Sequence, residues 1–189
     1  MARKLAPESP VDQPRRALLQ WMACGSVAWA AGARAQAQPV ETRSISLVNT
    51  HTGEALSARY FEAGQYVTGS LRSLDHLLRD HRSGESHPID PRLFDLLHSL
   101  ALCAECEPRF EIISGYRSPA SNAKLHSASS GVATRSLHME GRAIDVRLAG
   151  ARCSRLRDLA MGMQVGGVGY YAKSDFVHLD TGRVRFWAG

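Results

Sequence analysis

The chain has 189 residues, of which 44% are apolar and 22% charged, and its formal net charge is +5. This composition is typical of a soluble globular protein and supplies enough apolar residues for one sizeable core. Without residues 1–35, 18 of the 23 basic and 16 of the 18 acidic side chains remain, a net charge of +2. So small a charge excludes the strongly basic balance that a nucleic-acid-binding protein needs, and we predict no nucleic-acid partner.

The N-terminal segment has the features of an export signal. Residues 15–16 are two arginines, and the mildly apolar run 17–33 follows them and leads into two Ala-x-Ala sequences. A charged start, a short apolar middle and a small-residue end are typical of a cleaved signal, and the run is too weakly apolar for a good membrane-spanning helix. The arginine pair favours the twin-arginine route, and the alternative is an ordinary secretory signal with a chance pair. We therefore predict a signal peptide over 1–37, a mature domain over 38–189, a periplasmic location and no lipid or membrane anchor.

The elements of the mature domain follow from side-chain periodicity. Residues 43–62 alternate around the turn Asn49–Gly53, which predicts a β-hairpin. Leucine spacing predicts a helix from Thr68 to Arg79, and a second should run from Asp90-Pro91 to about Ala104, because Asp caps helices well and Pro fits their first turn. Further strands are predicted at Arg109–Ser114, Ala143–Arg147, Gly166–Tyr171 and Phe176–Asp180, further helices at Pro119–Ser127 and Cys153–Met163, and a loop at Ser127–Ser136. This order favours the α+β class, with an antiparallel sheet packed with helices and an N-terminal hairpin.

The mature chain has three cysteines, and the sequence leaves their state open. Cys103 and Cys106 have the Cys-x-x-Cys spacing, but no second pair completes a zinc site. A disulfide between Cys103 and Cys106, a disulfide between Cys106 and Cys153, and buried free thiols are all compatible with the pattern.

Two histidines and one carboxylate are the candidate metal ligands: His138, Asp145 and His178. In the predicted strand, Asp145 lies on the face opposite Ile144 and Val146, so apolar neighbours anchor the strand that presents it. Such a triad can hold zinc and leave one position open for water. Any single histidine carries little information in a chain that has eight, and the His-x6-Asp spacing is weak evidence by itself.

Three sequence blocks strengthen this interpretation, because together they resemble the zinc D-Ala-D-Ala peptidase family, which has the Hedgehog/D,D-peptidase fold. The blocks are Ser-Gly-Tyr-Arg-Ser at 114–118, Ser-x-His-x-x-Gly-x-Ala-Ile-Asp at 136–145 and Asp-x-x-His at 175–178. The ending FVHLDTGRVRFW and the export signal are most similar to the YcbK-like branch, which includes murein endopeptidases of the MepK type. The resemblance spans roughly residues 43–187.

The resemblance implies roles for individual residues. It implies that His138, Asp145 and His178 bind one zinc ion per chain and that Arg117 places a positive charge near the substrate. There Arg117 would act catalytically, by stabilising the negative charge of the tetrahedral intermediate, or would hold a carboxylate of the substrate. It also implies that the acidic residue three before the last ligand, here Asp175, is the catalytic base, although the better known members have Glu there. Because residues three apart point to opposite faces of an extended strand, Asp175 must lie on the turn that precedes His178.

Two further residues have weaker assignments. We expect Ser136 to orient the substrate or a metal ligand, and Asp180 to support the ligands from the same face as His178. Two of the roles implied by the resemblance have alternatives. Asp175 could be only a turn residue, and Arg117 could form a surface ion pair instead of facing the substrate.

The resemblance further implies a zinc metallopeptidase that hydrolyses peptide bonds of peptidoglycan stem peptides or cross-links. Peptidoglycan is the expected partner, and the protein is expected to be a monomer. Two alternatives stay open: a D,D-carboxypeptidase acting on free stem-peptide ends, and a non-hydrolytic wall-binding module of the same fold. Aspartate in place of glutamate at position 175 is the main support for the second alternative.

Overall fold

Eight strands and four α-helices make up the part of the chain that the computed structural model describes, residues 41–128 and 133–189. The strands are β1 (Thr42–Asn49), β2 (Ala55–Glu62), β3 (Gln65–Tyr66), β4 (Arg109–Ser114), β5 (Ala143–Leu148), β6 (Gly167–Tyr171), β7 (Phe176–Asp180) and β8 (Arg185–Ala188). The α-helices are α1 (Thr68–Leu77), α2 (Pro91–Cys103), α3 (Pro119–Ala128) and α4 (Cys153–Met163), and a 3-10 helix spans Leu137–Glu140. The predicted export signal lies outside the described residues. Within them, no helix is both long and apolar enough to cross a membrane.

The predicted elements are present within one or two residues of their expected bounds. β1 and β2 form the predicted hairpin, in which Leu47 is paired with Leu56. The side chain of Asp90 caps α2 by accepting a hydrogen bond from the backbone N–H of Arg92. The sequence did not predict β3, β8 or the 3-10 helix, and the arrangement belongs to the expected α+β class.

All eight strands form one sheet, in the order β3-β2-β1-β4-β5-β7-β6-β8. The prediction of an antiparallel sheet was wrong for two of its pairs, because β1 with β4 and β6 with β8 are parallel. The chain between β1 and β4 contains β2, β3, α1 and α2, and this is a connection long enough for the crossover that parallel pairing requires. The chain reverses between β6 and β7, which are antiparallel neighbours. After β7 it passes the end of β6 and reverses again, so β8 runs parallel to β6 on its other side. The sheet is therefore mixed.

One face of the sheet carries the hydrophobic core. α1 contacts β2, α2 contacts β1 and β5, and α4 contacts β5, β6 and β7. Ile144 and Val146 of β5 and Val177 and Leu179 of β7 are completely buried in this cluster. A shift of one residue in register would turn these side chains away from the helices, at a cost of about 0.8 kcal/mol for each CH₂ exposed. The core therefore fixes which side chains of β5 and β7 point to the opposite face.

The three described cysteines are free thiols, so neither candidate disulfide is present. Cys153 is buried and Cys106 partly buried, whereas Cys103 is exposed. Burial raises the pKa of the Cys153 thiol to about 11, which favours the protonated and unreactive form.

Gly141 ends the 3-10 helix in the left-handed region, with a φ of 64°. Its C=O accepts a hydrogen bond of 2.9 Å from the backbone N–H of Asp90. A Cβ at this position would collide with the carbonyl oxygen of Pro88. The turn that follows His138 therefore requires glycine both for its backbone conformation and for its contact with the loop before α2.

We expect Gly141→Ala to lower the free energy of unfolding by roughly 2–4 kcal/mol. A left-handed backbone costs an L-residue about 1–2 kcal/mol, and the displaced loop adds to this. Denaturant unfolding measures the change. Gly162→Ala is the matched control, since a Cβ there meets nothing within 4 Å and α4 gains a better helix former, so this variant should be neutral or up to about 1 kcal/mol more stable. Equal destabilisation by both substitutions would contradict the argument.

Candidate metal centre

Three elements bring the predicted ligands together. Asp145 of β5 is the register partner of His178 of β7, so their side chains lie side by side on the face opposite the core. His138 comes from the 3-10 helix, which leads through Gly141 back to β5. Among the described residues, this is the one group of three or more His, Cys, Asp or Glu side chains whose ligand atoms could share a metal ion. All three residues are buried.

The spacing of the ligand atoms fits one small cation. His138 Nε2 is 3.2 Å from His178 Nδ1 and 3.3 Å from Asp145 Oδ1. His178 Nδ1 is 2.8 Å from Asp145 Oδ1. Ligands of a tetrahedral ion with bonds of 2.0–2.1 Å are about 3.3 Å apart, so the three atoms lie close to three corners of such a tetrahedron. The fourth corner is available to another ligand.

Hydrogen bonds on the far side of each ring determine which nitrogen faces the cluster. His138 Nδ1 is 2.7 Å from the carbonyl oxygen of Gly115, to which it must donate. His178 Nε2 is 3.1 Å from Asp180 Oδ2. Each ring thus uses one nitrogen for an outer acceptor and presents the lone pair of the other to the cluster, an arrangement typical of metal-binding histidines.

Asp180 is itself held rigidly and is completely buried. Its carboxylate accepts hydrogen bonds from the backbone N–H groups of Gly167 and Gly182, at 3.0 and 2.8 Å. Arg185 forms a salt bridge of 2.6 Å with the same oxygen that accepts from His178. The supporting position expected for Asp180 is therefore the position that it occupies.

The charges within the cluster shift the pKa values of its members. Burial alone would raise the pKa of the Asp145 carboxyl, but the adjacent rings of His138 and His178 outweigh burial and hold it well below its usual range. Burial alone would lower the pKa of His178, but the carboxylates of Asp145 and Asp180 raise it to about 9. A proton and a cation therefore compete for His178, and metal affinity should fall as the pH falls.

A cavity of about 400 Å³ opens over the cluster. Arg117 and Ser136, the two substrate-binding residues predicted from the sequence, line it together with the three ligand candidates. The rest of the lining comprises Ala133, Arg135, Leu137, Tyr171, Phe176, Arg185 and Trp187. Asp145 is the one acidic residue in this described lining. Three arginines line the cavity; Arg185 is paired with Asp180, and Arg117 and Arg135 add positive charge that suits an anionic substrate.

Arg117 is not engaged in an ion pair with any described residue. Its terminal nitrogens lie 3.3 Å from Asn122 Oδ1 and 3.5 Å from Ser114 Oγ, and its buried Nε has no partner among the described residues. Burial lowers the pKa of this guanidinium, while the charge of Asp145 acts in the opposite direction. The surface ion pair considered as an alternative is absent from the described residues, and the cation remains available to an anion in the cavity.

Ser136 acts on the backbone of the ligand-bearing helix. Its Oγ is the N-cap acceptor for the N–H of His138, at 3.4 Å. This contact supports the backbone of a ligand candidate, and the role of Ser136 in orienting the substrate or a metal ligand stays a prediction.

The structure does not bring Asp175 to the cluster. Asp175 lies on the expected turn before β7, with a left-handed φ of 49°, and its side chain is 70% exposed. Its carboxylate is 3.7 Å from Arg147 Nε, and Arg147 and Cys153 also donate to its carbonyl oxygen. These contacts place it in a neighbouring hollow rather than in the cavity over the ligands.

The aromatic wall of the cavity was not predicted from the sequence. Strand β6 reads Gly-Val-Gly-Tyr-Tyr, and its period of two places Gly167, Gly169 and Tyr171 on the cavity face. Trp187 of β8 is the register partner of Gly169 and covers it. Two glycines in alternate positions were the signal, since a bare strip on a strand leaves room for large side chains of a neighbouring strand.

Comparisons with known proteins identify the family of the chain. Residues 37–187 match the sequence profile of a family described as peptidoglycan L,D-endopeptidase MepK. The chain is 40% identical over 181 residues to the peptidoglycan L,D-endopeptidase MepK of Escherichia coli (strain K12), covering 93% of this chain and 98% of that protein. It is 36% identical over 185 residues to the probable peptidoglycan L,D-endopeptidase MepK of Haemophilus influenzae, covering 95% and 98%. No solved structure gives a significant match.

Proposed function

The chain belongs to the peptidoglycan L,D-endopeptidase MepK family, and on this basis we propose that it is a zinc metallopeptidase that cleaves peptide bonds within the cross-linked peptides of peptidoglycan. The observation that carries the proposal is the convergence of His138 Nε2, Asp145 Oδ1 and His178 Nδ1 within 4.8 Å of one another at the floor of a cavity. Three ligands with one open position form the usual catalytic zinc site.

The donor set fits zinc better than a harder cation. Two imidazole nitrogens and one carboxylate oxygen suit zinc, whereas magnesium and calcium prefer sites made of oxygen ligands. A bound zinc ion would supply a nucleophilic water at neutral pH and polarise the substrate carbonyl. The proposed fold is the Hedgehog/D,D-peptidase type, for which the mixed sheet with a polar site on the face opposite the core is the supporting observation.

The protein's own residues would orient the metal ligands and bind the substrate. Gly115 and Asp180 hold the two imidazoles in the orientation that metal binding needs. Arg117 offers a cation with no carboxylate partner among the described residues, suited to a carboxylate of the stem peptide. Ser136 fixes the start of the 3-10 helix and so the position of His138.

Asp175 remains our prediction for the base that accepts a proton from the attacking water. The role requires the turn at 172–175 to rearrange, because Arg147 holds the Asp175 carboxylate outside the cavity. This position is also the observation that favours the alternative of a non-hydrolytic wall-binding module. The D,D-carboxypeptidase alternative would use the same ligands on uncross-linked peptide ends.

Location and partners follow from the same proposal. The substrate lies outside the cytoplasm, and this suits the export signal predicted over residues 1–37 and a periplasmic location. The twin-arginine route, the monomeric state and the absence of a membrane anchor stay predictions.

Digestion of purified peptidoglycan tests the activity. We expect the protein to convert cross-linked muropeptides into smaller ones, a chelator to abolish the conversion, and stoichiometric zinc to restore it, because the nucleophile depends on the metal. Release of free D-alanine from uncross-linked peptides would instead identify a carboxypeptidase. A muropeptide profile that zinc-loaded protein leaves unchanged, combined with retention on the wall material, would favour the binding module.

A further inference from the structure

The part of the cavity wall that β6 forms carries a hydroxyl group that has no assigned role. Tyr171 ends β6 on the cavity face and is half-buried. Its ring stacks on Phe176, with centroids 4.6 Å apart and an interplanar angle of 16°. Its hydroxyl is 3.1 Å from the indole Nε1 of Trp187. The phenol is therefore fixed at both its ring and its oxygen.

The bond to Trp187 determines the direction of the Tyr171 proton. An indole N–H can only donate, so the phenol oxygen must be the acceptor in this pair. The hydroxyl hydrogen of Tyr171 is not used in this bond and has no acceptor among the described residues. Since Tyr171 lines the same cavity as the three ligand candidates, an acceptor for this hydrogen can come from a molecule bound there.

Trp187 is placed to aim this group. It lies over Gly169, where any Cβ would collide with the indole ring. The ring centroid of Trp187 is 5.1 Å from that of His178. The guanidinium carbon of Arg185 lies over the indole, 5.0 Å from the same centroid. The indole thus contacts both the ring of His178 and the hydroxyl of Tyr171.

From this geometry we propose that the Tyr171 hydroxyl donates a hydrogen bond to the carbonyl oxygen of the scissile peptide bond, and that Trp187 is the positioning residue that aims it. The inference rests on the proposed peptidase function. Water adds to the carbonyl carbon, the C=O electron pair moves to the oxygen, and Tyr171 stabilises the charge that develops there. When the C–N bond breaks, that pair reforms C=O, the nitrogen takes a proton derived from the water, and Tyr171 keeps its own. Arg117 is then free to bind a carboxylate of the substrate.

Paired substitutions test the proposal by steady-state kinetics on one defined cross-linked muropeptide. Tyr171→Phe should lower kcat about 10²-fold with little change in KM, zinc content or Tm, because the lost bond forms as charge develops. Trp187→Phe should lower kcat less. When Trp187→Phe is added to the Tyr171→Phe variant, it should have almost no further effect on kcat, since an aiming residue has nothing left to aim. Tyr170→Phe is the matched control, because that hydroxyl lies on the other face of β6, and it should leave kcat unchanged.

The outcomes separate this inference from the function on which it rests. An inactive wild type would overturn the proposed function. An active wild type with an equally active Tyr171→Phe variant would overturn only the role of Tyr171, as would a variant that changes KM alone. Loss of zinc from Tyr171→Phe would assign the hydroxyl to the metal centre instead. If the reduction of kcat in the double variant equalled the product of the two single reductions, Trp187 would act independently of Tyr171, through His178 or the fold. That result would overturn the positioning role.

Discussion

Replacement of His138 by alanine should remove both the bound zinc and the hydrolysis of peptidoglycan. We expect zinc in the purified protein to fall from about one ion per chain to near zero, and turnover to fall by at least about 10³-fold, because two protein ligands hold zinc far more weakly than three. Metal analysis and muropeptide digestion measure the two effects.

The matched control is His98→Ala. His98 lies on α2, on the core side of the sheet, and its ring contacts the carbonyl oxygen of Ser44 at 3.3 Å. This variant loses an imidazole without touching the cavity and should keep its zinc and its activity. If His138→Ala retained stoichiometric zinc, the assignment of all three ligands would be wrong, because His138 Nε2 is within 3.3 Å of both other ligand atoms.

The local elements of this fold were predictable, and the pairing between distant strands was not. The hairpin and α2 follow from alternation, leucine spacing and a capping Asp, all of which act within a few residues of one another. The parallel pairing of β1 with β4 depends on how α1 and α2 pack, which no local period encodes. β8 has four residues and pairs only with β6 among the described strands, so its sequence alone carries a weak signal.

The candidate site shows the same division. The positions of Asp145 and His178 follow from the period of two in β5 and β7, since apolar neighbours occupy the core face in both strands. The acceptor for His138 could not be predicted, because it is the backbone carbonyl of Gly115 and every residue has such a group. Asp175 was correctly expected on the turn. The direction of its carboxylate could not be predicted, because it depends on Arg147 of β5. The pairing of β5 with β7 brings this arginine beside the turn.

The register of β5 with β7 connects the core to the chemistry. The pair Asp145–His178 lies between the pairs Ile144–Leu179 and Val146–Val177, all in one antiparallel ladder. The two apolar pairs bury their side chains against the helices, so the side chains of Asp145 and His178 must point the other way. The hydrophobic core thus places His178 Nδ1 and Asp145 Oδ1 2.8 Å apart.

Removal of the Asp180 side chain should lower the free energy of unfolding far more than removal of an exposed carboxylate. Asp180→Ala removes a completely buried carboxylate and leaves two backbone N–H groups and the partly exposed guanidinium of Arg185 without their acceptor. Each buried donor left without its acceptor costs about 1–3 kcal/mol, and because the guanidinium of Arg185 still reaches solvent we expect a total loss of roughly 2–4 kcal/mol. The surrounding hydrogen bonds hold the pKa of Asp180 well below its usual range, against the opposing effect of burial, so the loss applies at neutral pH. Denaturant unfolding of the metal-free protein measures it.

Asp158→Ala is the control with the same bond length and a different environment. Asp158 pairs with Arg157 at 2.6 Å, as Asp180 does with Arg185, but its side chain is 64% exposed. Solvent screening should limit its loss to about 1 kcal/mol or less. Asp180→Ala should also weaken zinc binding by about 10- to 100-fold, because the ring of His178 is then free to turn away from the cluster. A small stability loss equal to that of Asp158→Ala, with unchanged zinc affinity, would show that Asp180 neither supports the fold nor orients His178.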